Sequence, residues 1–208
     1  MTILNELSSQ LGDKTEKSNK LVAEKCIQHP VLIADIAGAL AGVDRKLAAD
    51  AAEVLTFISE AHPHLVVEYI DKIVAAFDHK ETKVRWEATH TIAQIASTAP
   101  DRIKDSIGSL NQLALSDKSK IVQDYATIAI GNYGGSSESA ARDVLPLLSR
   151  ILQVEGDRQA VRVIEGMGKL FAVNEALRND VIKSIQSQSD NEKSSIKKAY
   201  TKLMKQLN

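Results

Sequence analysis

The chain is poor in the residues that make disulfides, tight turns and aromatic cores. One cysteine, Cys26, in 208 residues excludes an intrachain disulfide and a multi-cysteine zinc site, which fits a reducing compartment. Ten glycines, four prolines and eight aromatic residues are too few for a sandwich or barrel of many short strands. No apolar run approaches the ~20 residues of a membrane span. We therefore expect an all-α cytoplasmic protein with no membrane partner.

Proline marks the corners of a repeating pattern. Pro30, Pro63 and Pro100 follow one another at spacings of 33 and 37 residues, and each separates two stretches with apolar residues at helical spacing. Proline fits the first turn of a helix, where its missing N–H is not needed. Each corner is therefore predicted to join the two helices of a hairpin, called here the first and the second helix.

Apolar periodicity extends this pattern over the whole chain. The first helices carry small residues at the positions where stacked hairpins approach closely: Ala51, Ala88, Ala126 and Ala160. A short leading helix and a final helix flank the hairpins. The prediction is an α-α superhelix, a solenoid of about five helical hairpins with capping helices, forming a single domain over residues 1–208. Asp44 is predicted to cap a first helix, and Gly134 to end one in the left-handed conformation.

Two segments resemble the repeat signature of a known family. Lys83-Val84-Arg85-Trp86-Glu87-Ala88 and Gln159-Ala160-Val161-Arg162 resemble the Val-Arg and alanine pattern of HEAT repeats, with Ala99-Pro100 at the turn between helices. The resemblance implies a HEAT-like or armadillo-like solenoid that acts as an interaction scaffold. Two alternatives also follow from it: an alkylpurine DNA glycosylase-like repair enzyme, and a lyase-like or chaperone-like HEAT protein.

The side chains that could carry chemistry do not form a catalytic pattern. His62, His64 and His79 are predicted to lie in turns, and the spacing of the histidines does not suit a helical zinc site. Gly166-Met167-Gly168-Lys169 lacks the remaining residues of a phosphate loop and favours close helix packing. Trp86 points away from the apolar stripe, either against a neighbouring repeat or outward as a binding anchor. We expect no catalytic residue, no metal and no cofactor.

Net charge argues against nucleic acid as a partner. The chain has 26 basic and 27 acidic side chains, a formal net charge of −1. Five lysines, against two acidic residues, give the last 21 residues a charge of +3. This indicates either a polar cap of the solenoid or a basic amphipathic helix for a membrane surface or an acidic partner. We favour the cap.

A column of carboxylates on the second helices is the most informative feature. Asp35, Glu68 and Asp105 each lie five residues after a corner proline, Asp143 follows in register, and Asp71 lies one turn beyond Glu68. On the concave side of a solenoid they would form an acidic ladder; the other interpretation is a solvated polar face. The sequence predicts a non-enzymatic scaffold or adaptor that binds a protein segment, one bearing Lys or Arg, on its concave surface.

Overall fold

The computed structural model describes residues 2–13 and 15–207 and is all-α, with no strand among those residues. The α-helices are α1 (Ser8–Leu11), α2 (Lys17–Gln28), α3 (Ile33–Ala39), α4 (Arg45–Ala61), α5 (Ile70–Ala75), α6 (Thr82–Ile95), α7 (Pro100–Ile103), α8 (Ile107–Ser116), α9 (Lys120–Gly134), α10 (Glu138–Glu155), α11 (Asp157–Val173), α12 (Arg178–Ile185) and α13 (Ser194–Leu207). The first helices are α2, α4, α6, α9 and α11. This confirms the predicted repeat of helical hairpins.

The chain forms two compact units, Met1–Ile103 and Lys104–Asn208, called here unit 1 and unit 2. The expectation of a single domain over residues 1–208 stays a prediction.

In unit 1 the first helices pack side by side. Helix α4 contacts both α2 and α6, while α3 packs on α4 and α5 packs on α6. Small side chains permit this stacking: Ala51 and Ala88 are both buried, as the periodicity predicts. Asp44 caps α4 by accepting hydrogen bonds from the backbone N–H groups of Lys46 and Leu47, which confirms the predicted cap.

Two corners of unit 1, at Pro30 and Pro63, contain 3-10 turns that sequence periodicity does not distinguish from α-helix. Pro30–Leu32 precedes α3, and Pro63–Tyr69 precedes α5. The longer turn includes Val66 and Val67, whose branched side chains lose rotamer freedom in an α-helix. Helices α3 and α5 are therefore short α-helices entered through 3-10 turns.

In unit 2, helices α9, α10 and α11 pack against one another, with α8 beside α9 and α13 beside α11. Glycine allows the closest approach: a methyl group on Gly131 of α9 would lie 2.9 Å from the Cα atom of Gly166 of α11. This confirms the packing role predicted for the Gly166 segment. Ala126 and Ala160 are fully buried, as expected for small residues between stacked first helices.

Gly134 does not have the predicted left-handed conformation, and that prediction is wrong. It is the last residue of α9, and a methyl group there would lie 2.5 Å from Cγ2 of Val144 and 2.6 Å from Cδ1 of Leu170. Close packing explains this glycine. Left-handed φ angles occur instead at Gly12 and Gly156, with values of 69° and 54°.

Candidate functional site

Three of the predicted site residues lie on adjacent elements of unit 1. Asp35 is in α3, Glu68 is in the 3-10 turn Pro63–Tyr69, and Asp71 is in α5. Helix α3 contacts both of the other elements. All three carboxylates are exposed, Asp71 with 88% of its side chain accessible. We call these three residues the acidic surface.

The pKa values of two residues, Cys26 and Tyr69, respond to the charges of the acidic surface. Burial raises the pKa of the Cys26 thiol to about 11, and the charge of Asp35 adds to the rise. Burial also raises the pKa of Tyr69, with further contributions from Glu68 and Cys26. The charges of Asp35 and Glu68 therefore both influence the surroundings of Cys26 and Tyr69. A thiol with so high a pKa is protonated at neutral pH and is not an activated nucleophile.

Few cations neutralise the acidic surface. Arg102 approaches Asp71 at 3.4 Å, and Thr2 donates a hydrogen bond to Asp35 at the same distance. Glu68 has no ion pair with any residue in the described part of the chain. The second-helix segments of unit 1, residues 30–39, 63–78 and 100–103, hold five carboxylates and only two basic side chains. The surface is therefore negatively charged and available to an external cation.

The other two predicted residues belong to unit 2. Asp105 lies in a 3-10 turn, Lys104–Ser106, and Asp143 lies inside α10; both are exposed. The corresponding segments of unit 2, residues 104–116, 138–155 and 175–188, carry six acidic and five basic side chains. The acidic excess on the second-helix segments is thus concentrated in unit 1.

His79 and His90 have local hydrogen-bond partners. His79 Nδ1 accepts a hydrogen bond from the backbone N–H of Glu81, and His90 Nε2 lies 3.1 Å from Nε2 of Gln94. Within residues 2–13 and 15–207, no three His, Cys, Asp or Glu side chains are grouped so that they could hold a metal ion. Trp86 is half-buried, and its Nε1 is enclosed without a hydrogen-bond partner.

Sequence reasoning missed a buried polar network between α2, α4 and α6. Asn19 donates to Oδ1 of Asp50 at 3.1 Å and to Glu53, which also pairs with Lys83 at 3.1 Å. Further along the helices, Thr56 donates to Oε2 of Glu87 at 2.8 Å. In the sequence, this network corresponds to the polar residues that lie between the alanines of the predicted apolar stripes.

A groove in unit 2 was also missed. It lies between α11 and α13 and has a volume of about 410 Å³. Its walls carry lysines, and its lining includes glycine and alanine. Periodicity identified the buried face of α13 but gave no indication that the two helices leave a gap beside it.

In the part of the chain that the structure describes, no helix has both the length and the apolar character that a membrane span requires.

No protein-family model and no curated protein matches this chain. Among solved structures, it is similar to a designed armadillo-repeat protein in complex with the peptide (KR)4, with a TM-score of 0.70, 16% identity and 99% coverage of each chain. Computationally designed armadillo-repeat proteins for modular peptide recognition match with a TM-score of 0.66 and 15% identity, covering 99% of this chain and 98% of that one. An engineered protein matches with a TM-score of 0.69 and 20% identity, covering 100% and 99%. These likenesses show an armadillo-like or HEAT-like repeat fold.

Proposed function

We propose that this protein is a non-enzymatic scaffold whose acidic surface binds a partner segment rich in Lys and Arg. The observation that carries the proposal is the placement of Asp35, Glu68 and Asp71 on contacting elements, exposed and with few cations nearby. A structural neighbour is described in complex with (KR)4, a peptide of the same chemistry.

The binding mechanism is electrostatic attraction to a preformed surface. Lysine and arginine side chains donate charge-assisted hydrogen bonds to carboxylates, and arginine can bind one carboxylate through two of them. Helices α3 and α5 are fixed by their buried faces, so the carboxylates need little reorganisation to receive a partner. No bond is made or broken. We propose that Asp105 and Asp143 contribute less to binding, because basic side chains in their segments nearly balance the acidic charge.

The test measures binding of fluorescein-labelled (KR)4 by anisotropy. Reversing two charges in the Glu68→Lys/Asp71→Lys variant should weaken binding about tenfold, because two attractive pairs become repulsive. The matched control is Glu175→Lys/Asp180→Lys, which makes the same charge change at exposed positions of unit 2. Its effect should be within about twofold, since neither position belongs to the acidic surface and an exposed charge outside the binding surface contributes little to affinity.

Salt provides the second arm of this test. Raising ionic strength from about 0.05 M to about 0.3 M should weaken binding to the parent more than to the Glu68→Lys/Asp71→Lys variant. Absence of binding, or equal losses in the variant and its control, would contradict the proposal. Circular dichroism of each variant checks that the helices are retained.

A further inference from the structure

The groove between α11 and α13 is lined mainly by two kinds of residue. We call the small and apolar ones its floor and the charged ones its walls. The lining residues are Ile164, Glu165, Gly168, Lys169 and Ala172 of α11, with Ala199, Lys202, Leu203 and Gln206 of α13. At about 410 Å³, the groove has room for a few side chains of a partner.

Lysines dominate the charge around the groove. Lys169 stands on α11 and Lys202 on α13, and both are exposed. Lys198 and Lys205 extend the stripe on α13, since residues separated by three or four positions share one helix face. Glu165 is the carboxylate of the lining. Lys169 donates a hydrogen bond to Asn132 of α9, a neutral partner, and Glu165 lies one turn before it on α11.

Burial of the apolar face of α13 distinguishes this surface from a membrane anchor. Ile196, Leu203 and Leu207 are all buried in unit 2. An interfacial helix needs large apolar residues that can enter the bilayer, whereas these residues of α13 are buried in the protein interior. A groove with small residues at its floor instead suits a protein segment that presents one apolar side chain between carboxylates.

We propose that the groove between α11 and α13 binds an acidic, partly apolar segment of a partner protein. Carboxylates of that segment pair with Lys169 and Lys202 on opposite walls. An apolar side chain between them covers Gly168, Ala172 and Ala199. The site shares no residue with the acidic surface of unit 1, so each can fail independently.

The probe is a fluorescein-labelled dodecapeptide of alternating Glu and Leu, with alternating Lys and Leu as its charge-reversed counterpart. The parent should bind the Glu peptide and not the Lys peptide. Lys169→Glu/Lys202→Glu should weaken binding about tenfold. The control Lys104→Glu/Lys183→Glu makes the same charge change on second-helix segments of unit 2 and should change affinity less than about twofold.

A second variant tests the floor of the groove without altering charge. Ala199→Phe fills the gap from a partly exposed position and should weaken binding of the Glu peptide at least about fivefold, because burying an apolar side chain contributes on the order of a tenfold change. Circular dichroism and thermal melts check folding. The proposal is overturned if neither Lys169→Glu/Lys202→Glu nor Ala199→Phe weakens binding, or if the parent binds mixed phosphatidylcholine–phosphatidylserine vesicles and not the Glu peptide.

Discussion

Glu87 is a buried carboxylate at the packing surface between α4 and α6. Only 5% of the residue is exposed, and burial raises the pKa of its carboxyl from 4.5 to about 7. Its environment is mixed: Thr56 donates a hydrogen bond and Lys83 lowers the pKa, whereas Glu53 and Glu60 raise it. The folded protein therefore holds a proton on Glu87 that the unfolded chain releases at lower pH.

This raised pKa predicts that stability falls as pH increases. Between the unfolded pKa of 4.5 and the folded pKa of about 7, the folded state binds more protons than the unfolded state, so the free energy of unfolding decreases. Relative to Glu87→Gln, the parent should lose about 2 to 3 kcal/mol between about pH 5 and about pH 8. Urea unfolding of both proteins measures this difference. Parallel pH profiles would contradict it.

Gln159 is a buried amide side chain with no hydrogen-bond partner, unlike Glu87, which accepts a hydrogen bond from Thr56. It is fully buried in α11, and neither its Oε1 nor its Nε2 has a partner. Leaving a desolvated polar group unpaired costs about 1 to 3 kcal/mol. Gln159→Met, which keeps the length and removes the polar atoms, should raise the free energy of unfolding by about 1 kcal/mol.

Gln123 provides the matched control for this substitution. It is 3% exposed, and its Nε2 donates to the backbone carbonyl of Asp117 at 2.8 Å. Gln123→Met removes that hydrogen bond and should destabilise by about 1 kcal/mol. Both variants are measured by urea unfolding. Equal destabilisation by the two would show that Gln159 has a partner in solution, such as a buried water.

At the scale of elements, the contact between α9 and α11 depends on two glycines facing each other. Gly131→Ala would place a methyl group 2.9 Å from the backbone of Gly166, so the helices must separate. Overpacking of this kind should destabilise by about 1 to 3 kcal/mol. Gly108→Ala in α8 is the control: no atom lies within 4 Å of the added methyl, and the gain in helix propensity is about 0.5 to 1 kcal/mol. Thermal melts should show opposite shifts in Tm, and equal shifts would contradict the packing role of Gly131.

Hairpins could be predicted from the sequence because their signals are local. Corner prolines and alanines at helical spacing identify Pro63 as a corner and Ala88 as a close contact, and the structure agrees with both. Whether the residues after the corner proline form an α-turn or a 3-10 turn depends on a smaller free-energy difference than the one that places the corner. An α-turn and a 3-10 turn bury the same side of a short segment, so periodicity does not separate them at Val66 and Val67.

The glycine error has a related physical origin. A glycine near the end of a helix pattern is compatible with a left-handed cap and with close packing, and both need the absence of a Cβ atom. Only the positions of Val144 and Leu170 decide in favour of packing at Gly134. These neighbours come from other helices, and their proximity is a tertiary property.

For the whole molecule, the net charge of −1 conceals an uneven distribution. Unit 1 has 15 acidic and 11 basic side chains, a net charge of −4, whereas unit 2 has 12 acidic and 15 basic side chains, a net charge of +3. The sequence indicated this asymmetry through the lysines of the final 21 residues. Which lysines border a groove, and which carboxylates share a surface, depends on the packing of helices and could not be predicted from spacing alone.

The 3-10 turn at Pro63–Tyr69 has a consequence for local dynamics. Because 3-10 hydrogen bonds have poorer geometry than α-helical ones, we expect this turn to open more readily than α4 beside it. Glu68 of the acidic surface lies in this turn, whereas Asp35 and Asp71 lie on α-helices. If the proposed function holds, we expect Glu68 to adjust more readily than Asp35 and Asp71, so that partner segments with different lysine and arginine spacing can bind without disturbing the helical core.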